Sequence, residues 1–218
     1  VERIGEHDRI DDGCIVERSG RLVSFSHPGG NGHSPDVSQD GALVVLMVKE
    51  LVSSGQDYIG RTAVQSLTYF ARELGVPIDY RFQIYYYGPY AEELATDVDL
   101  MVAYGVLRDA SNHKEQYANY RLGPDAQRVL EAHRDVIDKH IAKIAQVAGM
   151  VKDLKPETLE LLTTLHFMDK RLRARGGPAP NKRQIMAEFQ DVKEQKFSLK
   201  QVEDAYGAMV YAGLIAAS

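Results

Sequence analysis

Tyr80-Arg81-Phe82-Gln83-Ile84-Tyr85-Tyr86-Tyr87-Gly88-Pro89-Tyr90-Ala91-Glu92-Glu93-Leu94 is the passage on which the reading of this chain turns. From Tyr80 to Tyr87 it is dense in aromatic and β-branched side chains, which suit a pleated strand. Gly88-Pro89 then interrupts the run. Proline lacks an N–H and has φ already near the helical value, so it predicts a helix starting at Pro89. That helix carries Leu94, Val98, Met101 and Val102 on one face and stops at Gly105.

Upstream, Leu43, Leu46, Met47 and Leu51 recur at helical spacing from Ser38, and Gly55 closes the element. A second helix is expected from Arg61 to Leu74, with Val64, Leu67, Phe70, Ala71 and Leu74 inward and Gly75 as its stop. Downstream, Val106-Leu107 and residues 117–122 read as two short strands around a polar tip. Three helices closed by a two-stranded ribbon is the order of a winged helix-turn-helix. Residues 125–147 then predict one long amphipathic helix with Val129, Ile137, Ile141 and Ile144 inward.

The last third predicts helices over 157–173, 182–191 and 199–212. Met209-Val210-Tyr211-Ala212-Gly213-Leu214-Ile215 parallels Met101-Val102-Ala103-Tyr104-Gly105-Val106-Leu107, which reads as a degenerate duplication with a strand beginning after each glycine. Chance similarity of helix exits is the other explanation. The fold class is therefore mainly α with small β elements, winged helix-turn-helix-like. Its expected parts are an N-terminal hairpin and Gly/Pro-rich linker (1–38), a winged-helix-like module (39–123), a connecting helix (124–154) and a C-terminal helical module (155–218). The N-terminal hairpin would pair residues 14–16 with 22–25 around Ser19-Gly20.

Composition narrows the function classes. With 44% hydrophobic and 26% charged residues among 218, the chain can bury a core without metal or disulfide. Cys14 is the one cysteine, which fits a reducing compartment, and the expectation is a cytoplasmic protein. The longest apolar stretch, Ala42 to Val48, falls well short of the roughly 20 residues of a membrane helix, so no membrane role is expected. Residues 1–12 are charged throughout, unlike a signal peptide. The net charge of −5 argues against non-specific nucleic-acid binding.

Gly60-Arg61-Thr62-Ala63-Val64-Gln65-Ser66-Leu67-Thr68-Tyr69-Phe70, followed by Tyr86-Tyr87-Gly88-Pro89-Tyr90 and Glu92-Glu93-Leu94, resembles the YwgA-like family of uncharacterised bacterial and archaeal proteins. Its pattern is a Val/Leu-Gln-Lys-Leu-x-Tyr-Phe/Leu helix, then Tyr-Gly-Pro-Tyr and an acidic helix. The pattern is similar to the C-terminal half of DarG-type macrodomain antitoxins and, more loosely, to SocA-like (Panacea) antitoxin domains. The resemblance spans roughly residues 41–215, and Ser66 stands where these patterns usually have Lys. It implies a winged-helix-like body and, in the better understood relatives, neutralisation of a toxin protein. For the YwgA-like proteins it implies no known reaction.

Two surfaces follow from the residues themselves. Tyr85, Tyr86, Tyr87 and Tyr90 cluster at the junction, and strand alternation would send Tyr86 to the face opposite Tyr85 and Tyr87. Such a cluster serves either as scaffold or as an aromatic binding edge. The third helix carries Glu92, Glu93, Asp97 and Asp99 and no basic residue, which would repel phosphates and suits a basic protein partner or imitation of nucleic acid. The helix dipole alone accounts for Glu92 and Glu93 but less well for Asp97 and Asp99. The expected partner-binding residues are Tyr87, Tyr90, Glu92, Glu93, Asp97 and Asp99.

The alternative is a winged-helix transcriptional regulator touching DNA through a degenerate second helix-turn-helix in the C-terminal module and through Lys170, Arg171, Arg173, Arg175, Lys182 and Arg183, a basic run flanking a Gly/Pro loop. Catalytic signals are poor. His133 and His140 are too far apart to chelate as an i, i+4 pair, and Gly29-Gly30-Asn31-Gly32 lacks the rest of a phosphate loop. No catalytic residue, cofactor or metal is expected, and the oligomeric state is not legible.

Overall fold

The computed structural model describes residues 14–16, 22–24, 36–111 and 117–216. The chain divides into two units, Val1–Pro35 and Asp36–Ser218. In the first, β1 (Cys14–Val16) and β2 (Leu22–Ser24) pair antiparallel, with Ile15 opposite Val23. The expected Ser19-Gly20 turn and the 26–35 linker lie outside the described residues.

The second unit is mainly helical. Its elements are α1 (Gln39–Ser53), α2 (Arg61–Glu73), β3 (Gln83–Tyr85), β4 (Gly88–Tyr90), α3 (Glu92–Ala103), β5 (Leu107–Asp109), β6 (Tyr120–Leu122), α4 (Ala126–Ala132), α5 (Arg134–Val151), α6 (Pro156–Ala174), α7 (Lys182–Lys193) and α8 (Leu199–Tyr211). Helix α1 is the central rod. Every residue from Gly41 to Val48 is buried, because the helix is apolar nearly all round. Ser38 caps it by accepting from the Gly41 N–H at 3.1 Å. It packs on α5, α2, α4 and α3, while α2 reaches on to α6.

Three expectations are corrected. First, Gly88-Pro89 does not start a helix. Those residues open a second strand, with Ile84 opposite Pro89 and Tyr85 opposite Gly88, leaving Tyr86-Tyr87 as a two-residue turn. The turn is possible because Gly88 takes φ +104°, and Pro89 has no N–H to leave unpaired. Consequently α3 begins only at Glu92, and Tyr86 and Tyr87 are not on opposite faces of a strand. The continuous strand expected to Tyr87 ends at Tyr85.

Second, the long helix breaks at His133 (φ −110°, ψ 24°). The His133 ring bonds the Val37 carbonyl through Nε2 at 2.8 Å, a tertiary contact that no periodicity announces. Within α5, Ile137 and Ile144 are buried as expected, whereas Ile141, also expected inside, is 37% exposed.

Third, no strand follows Gly213 among the described residues. The two parallel segments share a helix exit instead. Gly105 (φ +73°) and Gly213 (φ +70°) are both left-handed, and the N–H groups of Val106 and Leu214 return to Met101 O and Met209 O, each at 2.9 Å. Leu107 then enters β5, whereas the Ile215 N–H also returns to Met209 O.

Candidate functional site

The β3–β4 hairpin is the best-braced surface feature of the second unit. From the α2 side, Gln65 is buried and its amide takes both polar groups of Ala91. Nε2 donates to the Ala91 carbonyl and Oε1 accepts the Ala91 N–H, each at 3.0 Å. From the other side, Lys193 at the end of α7 and Glu160 in α6 form an ion pair at 2.9 Å with both side chains 3% exposed. Lys193 Nζ also donates to the Tyr86 carbonyl at 2.6 Å. Burial pulls the Lys193 ammonium below its ordinary pKa, and the bond to Glu160 opposes that shift.

Gly88 sits hard against α6. A Cβ there would lie 3.1 Å from Thr163 Oγ1 and 3.3 Å from Thr164 Oγ1, so close approach and positive φ both demand glycine. Buried polar groups thus fix the hairpin backbone while its tip points to water. Tyr86 is 73% exposed and Tyr87 66%. Their rings stand nearly perpendicular, with centroids 4.8 Å apart.

Lys196 closes the tip. Its Nζ lies 5.0 Å from the centroids of both Tyr86 and Tyr87 and 5.8 Å from that of Phe197. The same ammonium bonds the Glu160 carboxylate at 2.8 and 2.9 Å. A tight turn delivers it. The Lys196 N–H bonds the Lys193 carbonyl at 3.0 Å, and between them Glu194 takes φ +48° and ψ −123°, values normally left to glycine.

The acidic helix is partly spoken for. Glu92 accepts from the Tyr85 hydroxyl at 2.7 Å, which holds that phenol above its ordinary pKa, and the Tyr85 ring packs tilted against Tyr90, centroids 5.3 Å apart. Asp97 accepts from the Tyr80 hydroxyl at 2.7 Å, and Asp99 pairs with Arg61 at 3.0 Å. Glu93 is exposed. Between α2 and α3, a cleft walled by Arg61, Gln65, Tyr90, Leu94 and Tyr120 holds only about 10 Å³, room for about one water.

The basic run is largely neutralised by acids from elsewhere in the sequence. Arg171 and Arg175 both bond Glu188, and Arg173 grips Asp169 with Nε at 2.8 and 2.9 Å. Lys170 pairs with Glu73 at 3.2 Å and Lys182 with Glu203 at 3.2 Å, while Arg183 is exposed.

The sequence reading missed the Glu160–Lys193–Lys196 cluster and the pairing of Tyr69 with His166. His166 Nδ1 lies 2.8 Å from the Tyr69 hydroxyl in a nest of Tyr69, Phe70 and Phe167. Burial lowers its pKa to about 4, so the imidazole is neutral at pH 7, and the Tyr69 phenol is pushed up by the same burial. Both side chains are buried, and the pair joins α2 to α6.

These contacts explain the residues that carry the family resemblance: Gln65 and Gly88-Pro89 build and brace one exposed aromatic hairpin. No family model matches the chain. It is 25% identical over 120 residues to the uncharacterised protein YwgA of Bacillus subtilis (strain 168), an alignment covering 55% of this chain and 71% of that protein. That likeness supports the YwgA-like resemblance. No helix among the described residues is long and apolar enough to cross a membrane.

Proposed function

We propose that the second unit is a non-catalytic recognition module, antitoxin-like in its mode of action, that binds a basic protein through its tyrosine hairpin and the adjoining acidic helix. The observation that carries this reading is the contrast at the hairpin. Its backbone is held by buried charged and amide groups, yet Tyr86 and Tyr87 present their rings to water. Binding hot spots are enriched in tyrosine, and pre-ordered side chains lose less entropy on association. Tyr85 joins the tip to α3 through Glu92, so aromatic and acidic surface are continuous.

The three helices α1 to α3 followed by the β5–β6 ribbon support a winged-helix reading of 39–123. Arg61 pairs with Asp99 and Asp97 is half-buried beside Tyr80, so among the described residues the exposed carboxylates of α3 without a cationic partner are Glu92, which accepts from Tyr85, and Glu93. The likeness to DarG-type and SocA-like antitoxin domains belongs to this proposal, with a toxin or regulatory protein as the partner. DNA binding by the 170–183 run is the weaker reading, because Glu188, Asp169, Glu73 and Glu203 already answer five of its six cations.

A photo-crosslinking residue in place of Tyr87 tests the proposal in the producing cell. One protein should be captured in stoichiometric yield, and a crosslinker at Tyr211, which is more exposed, should not capture it. Equal capture from both positions would reject the hairpin as the binding site.

A further inference from the structure

The surroundings of Lys196 describe a cation site. Two tyrosine rings at 81° form a corner, Phe197 adds a third face, and Glu160 supplies a carboxylate. Cations are held by ring faces within about 6 Å of their centroids, and several faces around one ammonium make an aromatic cage. Here the cage holds an ammonium of the same chain.

Charge bookkeeping shows which lysine is the surplus one. Glu160 is one carboxylate with two ammoniums. Lys193 is 3% exposed and tied to the Tyr86 carbonyl, so it neutralises Glu160 and braces the hairpin at once. Lys196 has its side chain 33% exposed and, among the described residues, the hydrogen bonds of its ammonium go to Glu160 alone. Its departure would leave Glu160 paired and return a charge to water at little cost.

We propose that Tyr86, Tyr87, Phe197 and Glu160 form a cation-recognition corner in which Lys196 is a stand-in, displaced when a lysine or arginine side chain of the protein partner enters. This rests on the reading of the hairpin as the binding site and adds the chemistry by which it selects. Lys196 also guards the corner: an unprimed surface of exposed tyrosines would accept any cation, whereas displacement demands one that is presented with further contacts on α3. The nearby carboxylate of Glu92, held by Tyr85, favours a partner with more than one positive charge.

The test uses tetramethylammonium ion, followed by NMR of the tyrosine ring signals in the full chain. Lys196→Ala should bind it at least tenfold more tightly than the unsubstituted protein, and adding Tyr86→Ala should abolish binding. Lys196→Gln, which keeps the stem, should behave as Lys196→Ala, with thermal unfolding confirming the fold of both. Equal binding by the unsubstituted protein and both variants, or none by any of them, would overturn the proposal. So would failure of both variants to fold, which would make Lys196 a structural cation. Tetramethylammonium binding without capture of a protein at Tyr87 would leave the corner standing and sink the protein-binding function. Capture at Tyr87 with no gain on removing Lys196 would do the reverse.

Discussion

Gln65 and Ala91 are joined by two hydrogen bonds that make the side-chain amide of one a surrogate strand partner for the backbone of the other. Both ends are buried, so neither Ala91 group can turn to water instead. The Ala91 carbonyl keeps the Ala95 N–H at 3.2 Å, so Gln65→Ala should leave the buried Ala91 N–H unpaired and destabilise the protein by about 1–3 kcal/mol. Gln65→Glu should rescue little, because a carboxylate can accept the Ala91 N–H but faces its carbonyl with no donor. Urea unfolding of the two variants checks this, and a loss under about 1 kcal/mol would show that the hairpin does not depend on the amide.

The Glu160–Lys193 pair should be asymmetric under mutation. Lys193→Met leaves Glu160 with Lys196, whereas Glu160→Gln strands a buried ammonium beside another cation. Breaking a buried pair typically costs about 3–5 kcal/mol. Glu160→Gln should reach that range and Lys193→Met should fall below it. Equal losses in unfolding free energy would mean that Lys196 gives Glu160 no useful compensation.

How much of this was legible in the sequence depended on where the cause lay. Helices α1 and α2 were legible from helical spacing and from the glycines that end them, and in the structure Ser38, Asn181 and Ser198 prove to cap α1, α7 and α8. The hairpin at Tyr86-Tyr87 was missed because Gly-Pro before an amphipathic run is also a helix start. What holds the hairpin is tertiary: Gln65 on Ala91, Lys193 on the Tyr86 carbonyl, and the close approach of Gly88 to Thr163 and Thr164, some 75 residues away. The break at His133 has the same origin in a distant carbonyl, that of Val37. The tyrosines and acids of the candidate site could be named from the sequence. Their engagement could not, since Asp97 with Tyr80 and Asp99 with Arg61 are tertiary pairs. Glu160, Lys193 and Lys196 carry no motif at all. A buried charge cluster is visible only once α6 and α7 are brought together.

Acid should unfold the protein partly through His166. Its folded-state pKa of about 4 lies below the ordinary 6.5, so the unfolded chain binds the proton more readily. Stability is then fully present above pH 6.5 and is lost as pH falls toward 4, by about 2–3 kcal/mol at about 1.4 kcal/mol per pH unit. His166→Gln should remove that part of the slope while carboxylate effects remain. Unfolding free energies at pH 4.5 and 7 for both proteins measure the difference, and parallel losses would show that His166 stays neutral when unfolded or is protonated when folded.

The central claim is that Tyr86 and Tyr87 bind a protein from a rigid hairpin. Its most direct test is the affinity of the partner captured at Tyr87 for Tyr86→Ala/Tyr87→Ala, compared with a protein in which Arg171, Arg173, Arg175 and Arg183 are neutralised. Two exposed tyrosines contribute little to folding, so the double variant should stay within about 1 kcal/mol of the parent in stability. Its partner affinity should fall about a hundredfold or more, as hot-spot losses do. Glu93→Lys should weaken the complex mainly through the on-rate. The arginine variant should bind the partner as the parent does. The contradicting result is an unchanged affinity in the tyrosine variant, together with sequence-selective DNA binding at physiological salt that disappears with the arginines.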